Sequence, residues 1–445
     1  MWLRFGAQLC LFVLLGLAVL LGSAALLLHG FGGALQLGRL GAREQLDIIK
    51  ISLSVVAGVG GVIALTVAYR KQKLGEAAHG REEVKLFTER FGACVAQLGD
   101  DSPAVRLGGV YALVHLANDW ETGRQTCIDV LCAQLRMPYP ADQPDDPEIH
   151  AAFLSQREIR HTIWRLIGDH LRPGATRHPW DGHSFNFTGA TIDGADLHGI
   201  VLTGGEVSFR GAQFTDRPTF FSDSNFCGAF VDFTEARFLG PKVDFSRCNF
   251  SSGLVEFSQS RFLGGEVTFH QAQFAGSDVV FADAKFFAST VDFVFAELTG
   301  SRVSFSDIEF SGEELDFSGA TFTSGILDFP EATLSGGRVN FFEAKFVGAD
   351  LRFLFTKFKN SEVSLLSAEF AAGSISFPHA RFTGGEVNFQ LANFSGSRVD
   401  FRKAEFREGI VNITLPRSYD VPPIFDHWTQ QPKNLILPSG SNQDD

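Results

Sequence analysis

Two uninterrupted apolar runs open the chain, Phe5 to Leu28 and Ile51 to Tyr69, and neither contains a formally charged residue. A bilayer core takes about 20 apolar residues of helix, so two transmembrane helices are expected, at about 5–28 and 51–69, with a short loop between them inside residues 1–75. A cleaved signal is the competing reading of the first run, with Arg4 ahead of it, but its apolar stretch exceeds the roughly 7 to 15 residues usual there. Arg4, Arg70, Lys71, Lys73, Arg81 and Lys85 flank the outer ends of the pair, against Arg39, Arg43 and Lys50 in the loop. Positive flanks stay cytoplasmic, so the loop is expected outside and everything after Tyr69 inside. Ser54, Ala57, Gly58 and Gly61 offer small residues four apart, where helices pack closely; their partner is either the first run or a second copy of the chain.

From about Gly80 to Pro173 apolar positions recur at every third and fourth place. Val84, Phe87, Phe91, Val95 and Leu98 make one helical stripe; Ser102 and Pro103 read as the cap and first turn of the next helix, which carries Val105, Val110, Leu113, Val114 and Leu116. A third helix is expected from Glu121 to Arg136, and a fourth carries Ile149, Phe153, Ile159, Ile163, Leu166 and Ile167. Residues 76–175 thus read as a small α-helical domain linking the membrane to the remainder of the chain.

The period then becomes twelve. Phenylalanines fall at 209 and 214, 221 and 226, and onward to 401 and 406, through seventeen units without an insertion, and of those 34 positions only Leu298, Leu334 and Leu365 depart from Phe. A unit reads Val-Xaa-Phe-Xaa-Xaa-Ala-Xaa-Phe, as from Val243 to Phe250. Residues two apart on an extended segment share a face. Phe209, Phe214, Phe245, Phe250, Phe305, Phe310, Phe401 and Phe406 are therefore expected in an inward ladder with Val and Ala, while the intervening Asp, Ser, Thr or Asn points outward. Gly stands seventh or eighth after the first Phe in fourteen of the seventeen units, marking a corner. An apolar pair that recurs in every unit is covered only by stacking on its own copies, which makes the array a β-solenoid.

Just ahead of the array, Phe187, Ile192, Leu197 and Leu202 are spaced by five and preceded two places earlier by Phe185, Ala190, Ala195 and Ile200. This pattern, with its Ala195-Asp196-Leu197 triplet, resembles the pentapeptide-repeat family over about 185–413. The resemblance implies a right-handed, four-sided β-helix, from which the alternating steps of five and seven depart by a two-residue bulge at every second corner. A four-sided coil takes 24 residues and a flat two-sided one 12; the bulk of facing phenylalanines favours 24. With the leading spans, and with Ala104–Gly109 and Gln125–Cys132, the chain is similar to a membrane-anchored bacterial subgroup for which the resemblance implies no activity. The β-helix is placed at 185–415. Pro416, Pro422 and Pro423 are expected to stop the register after Ile413, leaving Ile424, Phe425 and Trp428 to cap the open end within 416–445, ahead of a polar tail.

Composition sharpens this reading in three places. The 46 phenylalanines beside 4 tyrosines and 5 tryptophans are the repeat itself. A formal charge of −13 disfavours a nucleic-acid binder. Neither the spaced cysteines, such as Cys127 and Cys132, nor His150, His161, His170, His178 and His183 follow a metal-ligand spacing, so buried thiols and solvated or core histidines are expected, with no cofactor.

Three function classes remain. The first is a membrane-tethered scaffold or protein-binding module without catalysis, with the lipid bilayer and an unidentified protein as partners. The second is a DNA mimic acting on a topoisomerase; a bilayer tether and interspersed cations such as Arg352, Lys357 and Lys359 speak against it. The third is a β-helix enzyme using Asp292 and Asp316, which 24-residue coils stack on neighbouring rungs about 5 Å apart. No nucleophile or metal motif converges on that pair.

Overall fold

No proline stands between Ala42 and Leu98, and the charged residues after Tyr69 are mostly helix formers. In the computed structural model the second apolar run therefore continues without a turn into one helix, α1, Ala42–Leu98. The stripe from Val84 to Leu98 thus belongs to the same helix as the apolar run ending at Tyr69. Residues 41–140, 144–428 and 430–438 are described, together with isolated helical positions between Gly16 and His29. The first expected span lies largely outside the described residues.

The chain divides into two units, Met1–Glu89 and Arg90–Asp445. In the first, α1 is long and apolar enough to cross a membrane, with a window of mean hydropathy 2.2. Its Ser54 and Thr66 hydroxyls donate to the carbonyls of Lys50 and Val62, both at 2.8 Å. Neither leaves an unpaired donor facing an apolar medium.

The second unit takes in the last residues of α1, from Arg90, and then α2, Pro103–Asp119, α3, Arg124–Arg136, and α4, Pro147–Leu171. Ser102 is the cap of α2 as expected but makes no side-chain capping bond. At α4 the capping bond is made, Asp146 accepting from the N–H groups of Glu148 and Ile149. These helices are more than a linker, because they close the first coil of the β-structure that begins at Phe185. Trp164 packs on Phe187 with ring centroids 4.5 Å apart. Three arginines bond the outer carbonyls of that coil: Arg136 to Asn186, Arg160 to Thr191, and Arg172 to both Asp196 and His198. A sheet edge left open is a template for further pairing; here the guanidinium groups occupy it.

From Phe185 the chain winds into a parallel β-solenoid of about ten turns, its short strands falling into two sheets of 18 and 19 strands. One coil contains Asn249–Ser251, Leu254–Glu256, Arg261–Phe262 and Glu266–Thr268. Equivalent residues pair one coil on, Phe250 with Phe274 and Phe262 with Phe286, at a separation of 24 as in the Lys285–Glu309 contact. Phe245 stacks on Phe269 at 5.0 Å and meets Phe257 only edge-on at 6.2 Å, so the 12-residue coil is excluded. Four columns of rings fill the interior: Phe209 continues through Phe233, Phe214 through Phe238, Phe221 through Phe245 and Phe226 through Phe250, at 4.8 to 5.0 Å. Of the eight ladder residues singled out from the sequence, all are buried except Phe406, which is half-buried beneath Trp428.

Corners come in two kinds. The five-residue step is a tight turn in which Ala236 N–H donates to Phe233 O, with Glu235 at φ 62. Its left-handed position is filled mostly by residues other than glycine, among them Gln259, Asp307 and Leu391, which the expectation of glycine at corners misses. The seven-residue step is the glycine corner. At Gly325, φ +100, an added Cβ would stand 2.1 Å from the carbonyl oxygen of Ser301 on the coil below. In the three units without that glycine the seventh place is Asp216, Ala288 or Asn360, each also at positive φ.

Strand pairing continues after Ile413, although the strict spacing is lost, the next partner lying 25 residues on instead of 24. Phe394 pairs with Tyr419 and Val411 with Leu435, while Phe425 stacks on Phe401 at 5.2 Å. Pro416, Pro422 and Pro423 fall between the strands, where no ladder N–H is required.

Candidate interaction surfaces

The outward positions form rung-to-rung ladders. Asp292 and Asp316 are paired in register, as expected, but each carboxylate is engaged with its own backbone. Asp292 Oδ1 accepts from Val294 N–H at 2.6 Å, and Asp316 Oδ1 from Ser318 N–H at 2.8 Å. Asp232, Asp244 and Asp400 make the same bond two residues on. This is the side-chain turn that aspartate favours, and it gives the recurrent outward acid a structural role. Burial pushes the Asp292 carboxyl above its ordinary value, with the Asp316 charge adding to it, against hydrogen bonds from Val294 and Thr268. Glu314 is raised by burial and by Asp316.

Elsewhere on the coils acids are matched by bases one rung away. Arg247–Asp223, Lys285–Glu309, Arg338–Glu362 and Arg381–Glu405 lie at 2.7, 3.1, 3.3 and 3.5 Å. Exposed pairs contribute about 0 to 1 kcal/mol each; their effect is to break up any continuous row of negative charge.

Sequence reasoning passed over two aromatic residues on the tight corners. Phe295 and Phe355 hold φ 55 and are 56% and 47% exposed. A bulky side chain in that region of φ is an outlier. Phe355 stacks on His379 at 4.8 Å and 14°, with exposed Leu354 before it and Pro378 on the next rung, where Phe355 N–H donates to Pro378 O. The available signal was a ring two places after the first Phe of a unit, a place otherwise mostly polar or glycine.

Titratable groups gather at the junction of helices and solenoid. Asp193 is buried and accepts from Tyr139 Oη at 2.8 Å, with His161 Nε2 at 3.2 Å. Arg160 lies 4.5 Å over the Tyr139 ring. Burial alone would raise the Asp193 carboxyl, but hydrogen bonds from His161 and Tyr139 and the charge of Arg160 hold it below the ordinary value. The other histidines do not converge. His170 contacts Asn118 and Leu166 O, where burial lowers its pKa, while His150 faces Pro144 O and His183 faces Trp180 O. Cys127 and Cys132 lie buried in α3, and burial pushes both thiols up to about 12.

No protein-family model, curated protein or solved structure matches this chain.

Proposed function

We propose that this chain is a membrane-tethered binding module that presents a rigid β-solenoid to a protein partner. In this reading both N-terminal apolar runs span the cytoplasmic membrane, the loop between them is outside, and the solenoid is a right-handed, four-sided coil of the pentapeptide-repeat kind in the cytoplasm. The observation that carries the binding role is the Leu354–Phe355–His379 corner. It exposes a ring at positive φ with no interior packing to account for it, and aromatic residues, Phe among them, are enriched at protein interfaces. The rung-to-rung ion pairs weigh against a phosphate-like acidic row and hence against DNA mimicry. The backbone bonds of Asp292 and Asp316 weigh against a catalytic pair.

Two experiments test the proposal. Reporter fusions at Gln36 and Gly80 are expected to report outside and inside; residue 80 on the outside overturns the orientation. A photo-reactive side chain at position 354 of the full-length protein, crosslinked in native membranes, is expected to yield a discrete adduct that Phe355→Gly weakens about tenfold. Adducts unaffected by that change overturn the assignment of the corner.

A further inference from the structure

The solenoid offers almost the same surface at every rung, so a selective ligand site requires a place where the repeat is broken. Such a place lies at the change from five-spaced to five-and-seven-spaced coils. Phe185 pairs with Val207 and Ile192 with Phe214, whereas Ala195 already pairs with Thr219 at the full separation. Only Asp193 and Gly194 separate Ile192 from Ala195, but Thr215, Asp216, Arg217 and Pro218 separate Phe214 from Thr219. The surplus must overhang the coil before it. Gly194, at φ +103, admits the overhang, since an added Cβ would stand 2.8 Å from Arg217 Cβ and 3.7 Å from its Cδ.

Helix α4 closes the other side with His161, Trp164 and Arg165, leaving a groove of about 360 Å³ whose remaining walls include Pro218 and Phe220. That volume falls within the range of small-molecule sites, about 300 to 1,000 Å³. The Trp164 side chain is 1% exposed and its Nε1 has no hydrogen-bond partner. A buried donor left unpaired is unfavourable, and Trp164 is also a wall of the groove. Arg165 is shared with Tyr111 Oη at 2.8 Å and Asp169 at 3.6 Å. Arg217, exposed, makes no ion pair or side-chain hydrogen bond among the described residues. Asp196 at the rim is held by His198 at 2.6 Å and Arg172 at 3.3 Å and makes no ion pair with Arg217.

We infer that this groove is a binding site for a small organic anion with an apolar body, its charged end on Arg217 and Arg165 and its body against Trp164, Pro218 and Phe220. Two cations over an apolar wall suit a carboxylate attached to a ring better than a free inorganic anion, which would gain nothing from the wall. The ligand would bridge the helical cap and the first two coils, so binding also raises the temperature at which they separate.

The test titrates full-length protein in lipid nanodiscs with benzoate, benzamide and inorganic phosphate, read by saturation-transfer NMR and thermal unfolding. Benzoate is expected to bind saturably and raise the unfolding temperature, with benzamide and phosphate at least about tenfold weaker. Arg217→Gln is expected to reduce benzoate affinity about tenfold, Phe220→Ala to weaken it, and Arg302→Gln on a distant coil to leave it unchanged. Both Arg217 and Phe220 point outward from the solenoid, so these variants test the groove without emptying the core. No saturable benzoate binding, equal binding of benzamide or phosphate, or unchanged affinity in Arg217→Gln would overturn the inference.

Discussion

Asp292 and Asp316 face each other across one rung, yet each holds a backbone N–H two residues ahead, Val294 at 2.6 Å and Ser318 at 2.8 Å. The pair is thus two copies of a corner device with a charge conflict as by-product. Asparagine keeps the accepting oxygen and removes the charge. Asp292→Asn is therefore expected to raise the melting temperature at pH 7, and Asp292→Ala to lower it. The folded carboxyl titrates above its unfolded value near 3.8, so the native state binds the proton more readily. Wild type should gain stability as pH falls from neutral through the folded pKa, and Asp292→Asn should lack that gain; thermal melts across the acid range would read it.

Phe305 stacks between Phe281 at 4.7 Å and Phe329 at 4.9 Å and is fully buried. Phe305→Ala is expected to cost about 3 to 5 kcal/mol. Its neighbour Asp307 is outward but holds φ 55, so Asp307→Ala is expected to cost less than about 1 kcal/mol rather than nothing. Equal shifts of the two variants in chemical unfolding would contradict the inward and outward assignment.

Gln259 occupies the left-handed position of a tight corner at φ 58. Left-handed backbone costs a residue with a side chain about 1 to 2 kcal/mol, whereas glycine there loses about 0.5 to 1 kcal/mol through added freedom of the unfolded chain. Gln259→Gly should therefore be neutral to stabilising, and Gln259→Val should destabilise, as differential scanning calorimetry would show.

Asp193 carries the opposite sign to Asp292. Its hydrogen bonds hold the folded carboxyl below the unfolded value of 3.8, so its contribution is complete above that pH and lost as pH falls through the lower folded value. Asp193→Asn is expected to cost about 2 to 3 kcal/mol at neutral pH, to flatten the acid side of the stability profile, and to loosen the cap first. Hydrogen exchange along α4 would locate that loosening.

The ring ladder was legible because its period is strict: a Phe displaced by one residue would leave the interior, so register and burial are written into the spacing. The coil length followed from the size of two facing rings, and Phe245 over Phe269 bears it out. Two things were hidden. The left-handed backbone at Gln259 and Asp307 leaves no mark in composition, because the turn is held by bonds to the next coil and tolerates polar side chains. The capping role of Arg136, Arg160 and Arg172 depends on contacts far along the chain, and no local periodicity encodes it. The pairing past Ile413 was missed because the spacing breaks there, with Ser418 where the next Phe is due and Tyr419 beside Phe394 instead, while Pro416, Pro422 and Pro423 lie between the strands. At the junction, His161 drew notice as one histidine among five, but its partner Asp193 belongs to a coil that sequence spacing alone could not bring to it.

The sequence repeats every twelve residues, but the chain returns to the same sheet only after two repeats, as Val243 finds Val267 and not Val255. Changes in length are therefore sorted by parity. Loss of one repeat would carry every later residue to the opposite sheet and turn the far end of the rod half-way round its axis, aiming the Phe355 corner at the other side. Loss of two would shorten the rod by one rung and leave its bearing unchanged. Odd and even duplications in such a chain are different events: one alters direction, the other only reach.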